Sequence, residues 1–254
     1  MSKINILVTN DDGIYAPGIK ALWEAMSEIG HVTVVAPNRE QSAVGHAITL
    51  SDPLRVDEIN RSNGFKGFSV DGTPSDCVKI ATQALLEVEP NVIISGINLG
   101  SNTGTNIIYS GTVSAATEGT MLKIPSVAIS LNSFESRDFA GAKKAAKTVV
   151  SHVLKKGLPE KTLLNVNVPA IPENEIKGYK ITQQGNVAFR DRFEKRVDPK
   201  GRVYYWMTGQ MFDPDEEPNM DHNAIVDNFV SISPIHYRLT NHDFLDELNG
   251  WDLS

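Results

Sequence analysis

The feature that most constrains this chain is an apolar run, Ile4, Ile6, Leu7 and Val8, that ends directly in Asn10-Asp11-Asp12-Gly13. A short run of branched residues without polar alternation reads as a strand buried on both faces, as strands are inside a parallel sheet. Pro17 and Gly18 follow, and Ile19, Leu22, Trp23, Met26 and Ile29 recur at helical spacing up to Gly30. Val32, Val34, Val35 and Ala36 then give a second strand that stops at Pro37. Strand, helix and strand in this order form a βαβ unit, and a parallel sheet follows from it. In such sheets ligands bind beyond the carboxyl ends of the strands, so the acidic pair stands where a substrate or metal is met. Adjacent carboxylates repel each other, and a divalent cation relieves the repulsion. In the alternative reading one carboxylate caps the turn or helix and the other is solvated.

Beyond Pro37, Arg55, Val56, Phe68 and Val70 mark two weaker strands around an Asn63-Gly64 turn. Asp71-Gly72-Thr73-Pro74 opens a helix with Thr73 or Ser75 as its cap and Val78, Ile80, Ala81, Ala84, Leu85 and Leu86 as its apolar face. Val92, Ile93 and Ile94 form the clearest buried strand, and it runs into Ser95-Gly96-Ile97-Asn98. A long loop is expected from there to Thr112, and loops of that length inside a compact domain are usually functional. The pattern continues with a helix over 113–122, a strand over 127–131, a helix over 140–154 and a strand over 163–168.

From about residue 171 the texture turns polar, aromatic and charged, with Phe189, Phe193, Val203, Tyr204, Tyr205 and Trp206. Asp198-Pro199-Lys200-Gly201 is a turn signal joining two antiparallel strands. A projecting aromatic hairpin needs another surface to cover it, so contact with a second subunit is expected; the alternative folds it back on its own core. A strand over 226–232 and a terminal helix carrying Phe244, Leu245, Leu248 and Trp251 complete the chain. The expected fold is α/β, a Rossmann-like, mostly parallel sheet flanked by helices, with a C-terminal β-hairpin arm and tail. Residues 1–170 are the expected catalytic core and residues 171–254 the arm, returning strand and tail.

A net charge of −7 argues against a duplex nucleic-acid partner, which requires a basic footprint. One cysteine, Cys77, suits a reducing compartment and excludes thiolate metal sites. No basic leader with an apolar core and no membrane-length apolar run is visible, so a cytoplasmic protein without a membrane partner is expected.

Three strand ends supply candidate site residues: Asp11 with Asp12, the loop through Ser42, and the stretch from Ser95 to Thr112. Carboxylate, hydroxyl and amide oxygens are hard ligands that select magnesium, manganese or calcium. Asn98 either completes such an oxygen cage or shapes a turn. Tyr109-Ser110-Gly111-Thr112-Val113 stands where loop becomes helix, a place that holds phosphate on free amides or is simply capped by Ser or Thr.

Asn10-Asp11-Asp12-Gly13 with Ala16-Pro17-Gly18, Val35-Ala36-Pro37 with Ser42, Gly72-Thr73-Pro74-Ser75-Asp76-Cys77, Ser95-Gly96-Ile97-Asn98 and Tyr109-Ser110-Gly111-Thr112-Val113 together resemble the survival protein E (SurE) family. The resemblance is dense over about the first 130 residues and holds in outline beyond them. It implies a divalent-metal phosphatase of nucleoside 5′-monophosphates, with 3′-nucleotidase or exopolyphosphatase activity as possible additions. The implied cofactor is one divalent cation per subunit, Mg2+ or Mn2+, held by Asp11, Asp12, Ser42 and Asn98. Candidate phosphate-binding residues are Asn10, Ser110, Gly111 and Thr112, and Asp11 takes a second role as base. The resemblance also implies a homodimer or homotetramer with exchanged C-terminal elements. His46, His222, His236 and His242 are candidates for an extra proton donor, but they match no motif and are expected as surface or capping residues.

A non-enzymatic receiver-like signalling domain is the rival, with Asp71 as phosphate acceptor. Its lysine after the last strand is missing, since Asn132, Ser133 and Phe134 follow the strand over 127–131. A dinucleotide-binding G-x-G-x-x-G turn and a P-loop are both absent from the sequence.

Overall fold

Successive residues of a strand point to opposite faces of its sheet, and here both faces are covered. Ile6 and Val8 enter one core cluster with Ile19, Leu22, Met26, Ala142, Ala146 and Val150. Leu7 enters a second one with Val35, Cys77, Val78 and Ala115. The computed structural model describes residues 4–61, 64–212, 214 and 217–253. In chain order these form β1 (Asn5–Thr9), α1 (Pro17–Ser27), β2 (His31–Pro37), β3 (Val56–Asn60), β4 (Lys66–Val70), α2 (Pro74–Ile80), β5 (Val92–Leu99), α3 (Gly111–Met121), β6 (Ser126–Leu131), α4 (Ala140–Lys156) and β7 (Thr162–Val168). There follow β8 (Tyr179–Ile181), β9 (Ala188–Val197), β10 (Val203–Phe212), α5 (Asp221–Val226), β11 (Val230–His236) and α6 (Leu245–Asn249).

Nine strands make one sheet in the order β3-β4-β2-β1-β5-β6-β7-β11-β8. The six from β4 to β7 in that order run parallel, while β3 and β11 pair antiparallel with their neighbours β4 and β7. Helices α1 and α4 cover one face, α2 and α3 the other. The α/β expectation therefore holds. The sheet is continuous across residue 170, because β11 and β8 extend it beyond β7.

Local chemistry explains the boundaries. Thr73 caps α2 in a reciprocal box with Asp76, the first of the two caps expected. Regular α-helix ends at Ile80 and widens into a π-turn over Ala81–Leu85, so the predicted apolar face is carried by two kinds of helix. Asn63 of the predicted turn lies outside the described residues.

Two stretches depart from expectation. Ser95 to Leu99 is strand rather than loop, with a bulge between Ser95 and Asn98 against β6. Fully buried Ile97 anchors this extension, and the polar residues around it hid its strand character from the periodicity. The rest of the expected loop contains a 3-10 segment, Gly104–Tyr109. Near the end, 221–226 is helix and the strand begins only at Val230. The buried Asp221 carboxylate accepts N–H groups from Gly104 (2.9 Å), Gly185 (3.1 Å) and His222 (2.9 Å), which fixes the start of α5. None of these partners is near it in sequence except His222.

Among the described residues no helix is long and apolar enough to cross a membrane.

Candidate active site

Strand β1 has β2 on one side and β5 on the other, so the strand order reverses beside it and opens a crevice at the carboxyl ends. Asp11 and Asp12 leave β1, Glu40 and Ser42 follow β2, and Asn98 stands near the end of β5. Backbone bonds hold these loops together: Gln41 N–H donates to the Asp11 carbonyl (2.7 Å) and Gly45 N–H to that of Tyr109 (3.0 Å). A cleft of about 430 Å³ results, with Asp11, Ser42, Asn98 and Ser110 in its wall.

Asp11 is buried and held by the hydroxyl of Thr112, which donates to Oδ1. The start of α3 presses on it so closely that a Cβ on Gly111 would lie 2.7 Å from the Asp11 Cβ. Burial raises the Asp11 carboxyl above its ordinary range, against the lowering effect of the Thr112 hydroxyl and nearby N–H groups. Asp12 is pushed up to about 7 by burial first, then by the charges of Asp11 and Glu40; a bond from the Leu99 N–H works in the other direction. Burial and mutual repulsion thus disfavour the doubly ionised pair in the protein alone.

Asn98 donates Nδ2 to the Gly100 carbonyl (2.7 Å), which orients the amide and places Oδ1 on its opposite edge. Ser42 donates its hydroxyl to Glu40 Oε1 (2.6 Å). Ser110 lines the cleft and caps α3 through the Val113 N–H (3.1 Å), so the capping alternative is realised there. Beside the pair, Thr9 Oγ1, Asn10 Oδ1 and Ser95 Oγ are buried without a hydrogen-bond partner, and Thr9 lies opposite Ser95 in the β1–β5 register. Among the described residues no three His, Cys, Asp or Glu side chains cluster as a metal site. Asp11 lines the cleft and Asp12, its neighbour in the chain, does not, so a cation here has to draw on neutral oxygens as well as on carboxylates.

Three sequence-based assignments change. Asn10 is fully buried, and its Nδ2 holds the turn by donating to the Gly13 carbonyl (3.0 Å) rather than lining the cleft. The Thr112 side chain is also fully buried and serves Asp11. His222, expected as a surface or capping residue, lines the cleft. His46 plays a different part. With Lys79 (2.7 Å) it binds the buried Glu118 of α3 (2.9 Å), and so ties the loop after Ser42 to the helix behind the site. Burial alone would raise Glu118, but His46 and then Lys79 bring it below the ordinary carboxylate range.

Glu40 and Phe134 are not singled out as site residues by sequence reasoning, and His222 is only one of four histidines set aside for want of a motif. Glu40, two residues before Ser42, does not line the cleft but accepts the Ser42 hydroxyl, and its charge acts on both aspartates. His222 stands in the cleft wall next to the long-range Asp221 clamp, to which its N–H donates, and no local pattern announces that clamp. Asp71, the phosphate acceptor of the receiver reading, does not line the cleft.

The fold and cleft define a Rossmann-like α/β protein with an oxygen-lined acidic site at the switch point of its sheet. A family model described as survival protein SurE matches residues 6–191. The chain belongs to the SurE family. It is 47% identical over 250 residues to a 5′-nucleotidase SurE of Syntrophobacter fumaroxidans, covering 98% of this chain and 100% of that one. A 5′-nucleotidase SurE of Christiangramia forsetii is 47% identical over 252 residues, covering 98% and 97% of the two chains. The crystal structure of the SurE protein from Aquifex aeolicus superposes with a TM-score of 0.85 at 42% identity, covering 96% of this chain and 98% of that one. The receiver reading finds no support in these matches.

Proposed function

We propose that this protein hydrolyses nucleoside 5′-monophosphates to nucleoside and phosphate, using one divalent cation, Mg2+ or Mn2+, held by Asp11, Asp12, Ser42 and Asn98. The observation that carries the reading is the buried acidic pair at the switch point, of which Asp11 lines a cleft together with Ser42 and Asn98 while Asp12 follows it directly in the chain. Near-full-length similarity to proteins named 5′-nucleotidase SurE supports the substrate class.

The donor set fits such a cation. Two carboxylates, a hydroxyl and an amide are all hard oxygens, and buried carboxylates that repel each other gain most from a dication. When bound, the cation supplies Lewis acidity toward the phosphoryl group and toward water. Asp11 is clamped by Thr112, so it serves to hold position. Asp12, whose donor is the Leu99 N–H, is the freer carboxylate, and we place the proton-accepting role there instead of on Asp11. Water attacks phosphorus in line with the ribose 5′ oxygen as the P–O5′ bond breaks; Asp12 takes the water's proton, the leaving oxygen is protonated from solvent, and Asp12 returns its proton to solvent. The N-terminus of α3, with Gly111 N–H and the Ser110 hydroxyl, stabilises charge on the equatorial oxygens.

The reading assigns residues 1–170 to catalysis and, from 171–254, gives the hairpin and tail to subunit contacts in a homodimer or homotetramer. It is supported by the exposure of Phe193, Tyr205, Trp206 and Met207 on a two-stranded sheet separate from the main one. The single buried cysteine suits the cytoplasm. Phosphate release from nucleoside monophosphates, measured after chelation and again with Mg2+ or Mn2+ restored, tests the proposal. Release that survives chelation, or release only from substrates without a nucleoside, would contradict it.

A further inference from the structure

We infer that Phe134 is a stacking platform for the nucleobase of the substrate, which rests on the nucleotidase reading and deepens it. The ring belongs to the loop after β6 and lines the same cleft as Asp11, Ser42 and Asn98. It is 82% exposed, so burial does not account for its placement. Local bonds do. Gly100 N–H donates to the carbonyls of Leu131 (2.9 Å) and Ser133 (3.0 Å), and Ser133 Oγ accepts from the N–H groups of Glu135 (3.2 Å) and Ser136 (3.0 Å). The ring rests directly on Gly100, where a Cβ would meet Phe134 Cε1 at 2.5 Å and where φ is +100°. Asn98 in turn binds the Gly100 carbonyl (2.7 Å). One short turn therefore carries both a proposed cation ligand and the seat of an exposed aromatic ring.

A nucleotide has a doubly charged end and a flat aromatic end, and the cleft offers a counterpart to each. Tyr109, Phe189 and Met211 add apolar wall to the same cleft. Stacking on a ring accepts every base, because every base has a π face, so all four common nucleoside monophosphates are accommodated on the same platform. A free abasic sugar phosphate uses only the phosphate end.

The test compares AMP, CMP and ribose 5-phosphate on the full-length protein carrying F134A, F134L and F134W, with melting curves to confirm folding. Stacking predicts that F134A and F134L raise KM for AMP and CMP by about 5- to 150-fold, leave kcat within about threefold and leave ribose 5-phosphate turnover unchanged. F134W restores the native KM. Equal losses on nucleotides and ribose 5-phosphate would make Phe134 a structural residue, and unchanged nucleotide KM would remove it from the site; either overturns the inference. Calorimetric titration with AMP and Mn2+ separates this from failure of the nucleotidase reading. A native protein that binds AMP without hydrolysing it, and loses that binding in F134A, retains the platform but not the reaction. Absence of AMP binding by the native protein overturns both.

Discussion

The carboxyl edge of the sheet and the β9–β10 hairpin are incomplete in opposite senses. At the sheet edge polar groups are buried beyond what their partners satisfy: Asp11 is 4% exposed, and Asn10 Oδ1 and Ser95 Oγ have no partner. Along the hairpin apolar groups are exposed beyond what one chain covers, with Tyr205 at 59% and Trp206 at 57%. Buried charge without compensation calls for an ion, whereas exposed aromatic surface calls for a protein. The kind of group left unmatched thus indicates the kind of partner each region takes.

The sharpest way to break this comparison is Asp12→Asn. Turnover should fall by about 10²- to 10⁴-fold, the range for a lost general base, while the metal-free protein melts no lower, because one of two repelling charges is gone. A variant with native turnover would remove Asp12 from catalysis. Deleting residues 190–207 should do the reverse. Sedimentation should show a monomer, with nucleotide hydrolysis by the core reduced less than by Asp12→Asn; an unchanged oligomer would show that the hairpin is not the subunit contact.

Thr112→Val sharpens the first half. It removes the hydroxyl that donates to buried Asp11, and the expected loss is about 1–3 kcal/mol of stability together with weaker Mn2+ binding by calorimetry. Unaltered Mn2+ affinity would separate Thr112 from the site. The pH dependence is smaller and has a definite sign. Asp12 titrates at about 7 in the folded chain, above its unfolded value near 3.9, so the folded state holds the extra proton between those limits. Metal-free stability should therefore fall as pH rises from about 4 to about 7, and the stabilisation by added Mn2+ should grow over the same interval. A metal-free melting temperature that rises across it would contradict the burial of this charge. Last, Lys147→Ala, which breaks the exposed pair with Glu28 (2.9 Å), should change stability by less than about 1 kcal/mol and leave turnover alone.

Much of this was legible from local pattern. Branched runs at Ile6–Val8 and Val92–Ile94 announced the two strands that flank the switch point, and with them the place of Asp11 and Asp12 at the carboxyl end of β1. The turn at Asp198-Pro199-Lys200-Gly201 closes as its residues require, with Gly201 N–H donating to the Asp198 carbonyl (2.9 Å). What stayed hidden depends on contacts distant in sequence. Whether Thr112 would meet a phosphate or Asp11 is decided by packing of α3 on the β1 loop, 101 residues away in sequence. The Asp221 clamp likewise joins Gly104 to α5 across 117 residues, next to His222 of the cleft wall, a stretch for which periodicity gives no element.

A crystal grown with Mn2+ and measured for anomalous scattering tests the central assignment most directly. One peak within about 2.0–2.6 Å of oxygens from Asp11, Asp12, Ser42 and Asn98 is the predicted result. A strong peak elsewhere in the molecule, with Asp12 and Asn98 directed away from each other, would contradict it.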